Sequence, residues 1–181
     1  LIIIFKGMKL ADENMDLYHQ LLFQNNIVYN TLYTEGGLDI DTYFYAAQQI
    51  KTELIFFLNT SSIILNNDWL SKMYFSINQH KIGMVSATGS WHSYRSMVFF
   101  INTWKYESPK GIVYNFRKYK LMLKAAFYYP FLFKSFPNPH LRTNAFMIWK
   151  KLFLTIKWKP LTSKFRAYLC ESGRNSVTNQ V

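Results

Sequence analysis

Five stretches hold residues whose types and spacing could do chemistry. Glu171 lies in Cys170-Glu171-Ser172-Gly173-Arg174, and Glu107 is the only other acid after residue 100. A carboxylate there either takes a proton or caps a helix expected to start at Glu171; both readings stand. Asn59-Thr60-Ser61-Ser62 closes the apolar run Leu54 to Leu58. In open α/β sheets, ligands sit beyond the carboxyl ends of strands. Asp39 follows the flexible pair Gly36-Gly37. Backbone can approach a ligand closely at such a pair, and Asp39 is either a ligand contact or a helix cap. Arg142 and Arg174 are candidates to clamp phosphate, since a guanidinium presents paired N–H donors; Arg142 could equally bridge to a surface carboxylate. Thr88, Ser90 and Trp91 could line a pocket, although a buried Trp is equally ordinary.

Other chemistries find no support. There is no GxxxxGK[ST], GxGxxG, HExxH, CxxC or GxSxG in the chain, which removes the signatures of P-loop, hydride and zinc chemistry. His19, His80, His92 and His140 are scattered and read as structural or surface residues. The single Cys170 has no internal disulfide partner. It reads as a small buried hydrophobe, which fits a reducing compartment.

The elements that must position these residues follow from apolar periodicity. Strands are expected at Leu1 to Phe5, Ile27 to Tyr33, Leu54 to Leu58, Ile82 to Ala87 and Asn144 to Trp149. Helices are expected at Asp12 to Phe23, 39–50, Trp69 to Gln79 behind an Asn67-Asp68 cap, and Lys151 to Ile156. Trp91 onward reads as a helix over the sheet edge. Phe165 to Leu169 reads as an apolar strand. Alternating strands and dozen-residue helices imply βαβ units and a mostly parallel sheet flanked by helices. At 181 residues, half of them hydrophobic, one domain with a real core is expected. It divides into a βαβ half (1–90), a basic aromatic insert (91–139) and a closing half (140–181). The chain opens at Leu1 inside a strand and stops at Val181 early in a helix, so a piece of a longer protein is expected.

Charge is uneven. Residues 1–100 carry a net −2 and residues 101–181 a net +13. The second half should face something anionic. Its segment 104–134 interleaves Lys with Tyr and Phe, which suits an anionic membrane surface. A solvated face stands open beside that reading, and nucleic acid ranks last, because no RNP or helix-turn-helix pattern is present. No apolar run reaches the length needed to span a bilayer.

The run GGLDIDTYFYAAQQIKTELIFFLNTSSIILNNDWL resembles the middle of a GT-A nucleotide-sugar glycosyltransferase of the family 2 kind. KIGMVSATGSW is similar to that family's next strand. HLRTNAFMIWKKLF is similar to its acceptor-side strand, and CESGRNSVTNQV to its helix with the catalytic acids. D-I-x-x-Y, F-L-N-x-x-S, A-T-G-S-W, H-L-R-T-N-A-F and E-S-G-R-x-S together resemble a bacterial subgroup from cell-surface polysaccharide clusters. The likeness covers roughly 27–91 and 138–181. It implies a GT-A-like, Rossmann-like fold with a donor-side half before residue 90 and an acceptor-side half after 140.

The likeness also implies transfer of a sugar from a nucleotide-sugar to a glycan or lipid-linked acceptor in polysaccharide and cell-envelope biosynthesis. The expected place is the cytoplasm, peripheral at the inner face of the membrane. Glu171 is the implied catalytic base. Gly37, Asp39, Asn59, Thr60, Ser61, Arg142 and Arg174 are the implied donor contacts, and Thr88, Ser90 and Trp91 the acceptor contacts. The family's D-x-D should fall at Asn59-Thr60-Ser61, where no carboxylate stands. Mg²⁺ and Mn²⁺ prefer carboxylate oxygens, so no metal ligand is assigned: either transfer is metal-independent, with Lys and Arg meeting the phosphates, or the donor chemistry is lost, and Mg²⁺ or Mn²⁺ stays open as a cofactor. The runner-up is a glycosyltransferase-like domain without catalysis that binds glycan, membrane surface or a partner enzyme.

Overall fold

The computed structural model describes residues 1–7, 13–101, 112–157 and 159–181. The expected helix start at Asp12 and the part of the insert at 102–111, with Glu107, lie outside the described residues.

The chain begins as a βαβ unit. Strand β1 (Ile2–Lys6) and strand β2 (Asn30–Thr34) pair in parallel, with Ile2 opposite Asn30, and helix α1 (Glu13–Gln24) connects them. Helix α2 (Asp39–Gln49), strand β3 (Leu54–Leu58), helix α3 (Trp69–Ile77) and strand β4 (Met84–Ser86) follow. The short strand β5 (Gly89–Ser90) leads into helix α4 (Tyr94–Ile101). A long helical stretch comes next: α5 (Ile112–Leu123), a π-helical turn (Lys124–Tyr128) and α6 (Tyr129–Leu132). Strands β6 (His140–Leu141) and β7 (Ala145–Trp149) return the chain to the core, and α7 (Lys150–Thr155), α8 (Lys164–Ser172) and α9 (Val177–Gln180) complete it.

The α/β class expected from sequence is present, but the sheets are mostly antiparallel. The central sheet has the order β3-β7-β4, and β7 is antiparallel to both neighbours. Strands β3 and β4 therefore run the same way, as a βαβ connection through α3 requires. Strand β7 enters from the end at which they leave and runs back between them. Periodicity marks a strand but not its direction, which here follows from pairing with β3 and β4 far away in sequence. β5 and β6 form a second antiparallel pair.

β7 is buried on both faces, as a central strand must be. Phe146 and Ile148 join Tyr43 and Ala47 of α2, Phe57 of β3, Phe153 of α7 and Cys170 of α8 in the main core. Met147 points the other way, onto Met73 and Ile77 of α3. A third cluster holds Val98 of α4, Ala125, Tyr129 and Phe133, with Phe165 and Leu169 of α8 packed against it.

Two local expectations change. Phe165 to Leu169 is helix rather than strand: α8 begins behind Ser163, whose hydroxyl accepts from the Arg166 N–H at 3.3 Å. Asp68 holds the cap position of α3 with φ of 57°, yet its side chain makes no capping bond.

Candidate functional site

α8 puts Glu171 in its last turn, not at a helix start. That removes the reading of Glu171 as an N-terminal cap. The carbonyl end of a helix is negative, so a carboxylate there is unfavourable unless other groups offset it. The chain entering β7 supplies those groups. Glu171 Oε1 accepts from the Thr143 backbone N–H at 2.9 Å and from the Thr143 hydroxyl at 3.2 Å. Arg142 Nε lies 3.5 Å from the same oxygen. The Glu171 side chain is 16 % exposed, so it is sheltered but reachable.

The turn after Glu171 is fixed by its neighbours. Gly173 passes so close to α8 that a Cβ on it would lie 2.4 Å from the Leu169 carbonyl oxygen, a position only glycine can hold. The carboxamide of buried Asn138 donates to the Ser172 carbonyl at 2.7 Å, satisfying an end the helix itself cannot.

Glu171 forms one wall of a cavity of about 260 Å³. Asp39, Thr143, Lys164 and Tyr168 line the same cavity. Leu38, Ile40, Leu161 and Ala167 complete the lining. Two residues before Asp39, Gly37 has a left-handed φ of +92°, and a Cβ there would meet Asp41 Cβ at 3.1 Å. Asp41 receives the Leu38 N–H at 3.3 Å and the Leu161 N–H at 3.1 Å, tying the start of α2 to the segment before α8. Asp39 itself does not cap α2. Its Oδ1 pairs with Lys6 Nζ of β1 at 2.8 Å.

A polar knot joins the exits of β3 and β4 to the entry of β7. The Asn59 N–H donates to the Asn144 carbonyl at 2.9 Å. The Ser86 hydroxyl lies 2.6 Å from the Arg142 carbonyl, and the Thr88 hydroxyl 3.1 Å from Asn144 Oδ1. Ser90 pairs with His140 across β5 and β6. Trp91 is exposed rather than buried. His92 nearby is held below the usual imidazole range by burial, then by the charges of His140 and Arg142.

Sequence-derived site residues thus separate into groups. Asp39 and Glu171 share the cavity, Gly37 lies just before that lining against Asp41, and Arg142 pairs with Glu171. Asn59, Thr60, Ser61, Thr88, Ser90 and Trp91 do not line it. Arg174 lies elsewhere: its Nε donates to the Pro130 carbonyl at 2.8 Å and its backbone N–H to Leu132 at 2.8 Å, binding the insert to the end of α8. Sequence reading missed Thr143, Lys164 and Tyr168. The signal for the last two was present, because 164, 167, 168 and 171 fall at i, i+3, i+4 and i+7 of one helix.

Asn59-Thr60-Ser61 does not suit a hard divalent cation. It offers no carboxylate, and Asn59 Oδ1 already accepts from the Ser62 hydroxyl at 2.7 Å. Among the described residues, no three His, Cys, Asp or Glu side chains stand where they could hold a metal ion together. No helix among them is long and apolar enough to cross a membrane. No protein-family model matches the chain, and neither the curated proteins nor the solved structures compared with it give a match.

Proposed function

We propose that the chain is a GT-A-like glycosyltransferase domain that moves a sugar from a nucleotide-sugar to a glycan or lipid-linked acceptor. The observation that carries this reading is Glu171: a sheltered carboxylate lining a cavity with Asp39, held by two Thr143 donors and paired with Arg142. In the reaction, the acceptor hydroxyl gives its proton to Glu171. Its oxygen bonds to the anomeric carbon, and the nucleoside diphosphate leaves with the electrons of the broken C–O bond. Thr143 and Arg142 keep Glu171 aimed, so geometry is set before substrate arrives. Asp39 would accept from sugar or ribose hydroxyls. Lys164 and Arg142 would meet phosphate charge, and no step runs through a metal.

Calorimetric titration of UDP, GDP and dTDP, with and without Mn²⁺, tests the donor site. Binding that ignores Mn²⁺ and weakens in Lys164→Ala supports the reading. No binding at millimolar nucleotide rejects it.

The second reading is a domain of this family that binds glycan or a partner enzyme without catalysis. The observation favouring it is the neutral Asn59-Thr60-Ser61 where the family has its acidic motif. Glycan binding without nucleotide binding would select it.

A further inference from the structure

The helical stretch 112–132 shows apolar side chains outward as well as inward among its described residues. Ala125 and Tyr129 point inward and are buried. Phe116 is 69 % exposed, Phe127 74 % and Phe131 77 %, with Tyr119 and Leu123 exposed in line with them. These five recur at separations of three or four, so they form one outward stripe. Lys120 and Lys124 stand exposed among them.

We propose that this stripe docks on an anionic lipid surface. Charge selects the occupant. No Asp or Glu occurs between residues 108 and 170, so every charge this part of the chain can present is positive. A second copy would set like charge against like, with a net +13 in each second half. Nucleic acid would satisfy the lysines, but a stripe with three Phe and a Leu has more apolar surface than a phosphate backbone covers. A bilayer interface takes both at once. Rings enter the boundary between headgroups and acyl chains, while lysine stems run along it and their ammonium groups stay with lipid phosphates and carboxylates. The stripe is a convex helix face rather than a cleft, which suits a planar surface.

The test is co-sedimentation of the full chain with phosphatidylcholine vesicles, alone or mixed with phosphatidylserine. Wild type is expected to bind the mixed vesicles and leave the neutral ones. Phe127→Ser/Phe131→Ser and Lys120→Glu/Lys124→Glu should each lower partitioning at least about tenfold. Circular dichroism should be unchanged, because the altered side chains are exposed. Equal binding to neutral vesicles would overturn the proposal, as would variants that bind like wild type. So would displacement of vesicles by DNA that both variants bind normally, or a dimer that the Phe variants dissolve. The proposal does not rest on the transfer reaction, and vesicle binding by a chain that binds no nucleotide would leave it standing.

Discussion

Thr143 holds a single oxygen of Glu171 with both its backbone N–H and its hydroxyl, at 2.9 and 3.2 Å. The two residues lie on different elements, one entering β7 and one leaving α8. Their contact therefore joins the central sheet to the helix that carries the proposed base.

Glu171→Gln keeps an oxygen for both Thr143 donors and removes the charge. A neutral side chain suits the carbonyl end of α8 better, which offsets the lost Arg142 pair. Thermal unfolding should shift by no more than about 1 kcal/mol, while sugar transfer should fall about 10²- to 10⁴-fold. A chain that unfolds instead would make Glu171 a structural residue.

Gly37→Ala should cost stability even though the site faces solvent. A left-handed φ strains a residue with a Cβ, and that Cβ would press on Asp41. The expected loss is about 1–2 kcal/mol, read as a lower urea midpoint. Because Asp41 also holds the Leu161 N–H, hydrogen exchange at Leu161 should quicken in the same variant.

Arg174→Ala separates two roles. The side chain donates to the Pro130 carbonyl, so its loss should lower stability by about 1 kcal/mol. Nucleotide affinity should hold. Reduced nucleotide affinity at unchanged stability would return Arg174 to the phosphate contacts expected from sequence.

Cys170 makes stability fall in alkali. Burial pushes its thiol up to about 12, with the Glu171 and Asp41 charges adding to it. The unfolded thiol loses its proton near pH 9 while the folded one keeps it. Stability is therefore whole below about pH 9 and declines as pH rises toward 12, at about 1.4 kcal/mol per unit from this group. Tyr43, also raised by burial, acts in the same direction at higher pH. Cys170→Ala should flatten the decline between pH 9 and 12 in urea titrations. In the native protein the thiol should resist disulfide reagents.

The central elements were legible because each carries one clear period. Leu54–Leu58 and Ala145–Trp149 are apolar runs of strand length, and α2 shows its Tyr43, Ala46 and Ala47 face. α8 was not, because it is apolar on two sides. Phe165 and Leu169 face the third cluster while Cys170 faces the main core. A short helix wedged between two cores shows five nearly continuous apolar residues and looks like a strand. Glu171 was found as a candidate, but its place in the helix was inverted by that reading. The direction of β7 could not be read because it depends on pairing partners far away in sequence.

That reversed strand also sets an order of events. Among the described residues, β3 and β4 do not pair with each other, and each bonds to β7 alone. A chain emerging from the ribosome has both strands complete by residue 86 and must wait until residue 145 for the strand between them. Contacts this distant in sequence form slowly, and unpaired strand edges invite association while they wait. Leu54–Leu58, apolar along its whole length, lacks its β7 partner throughout that interval.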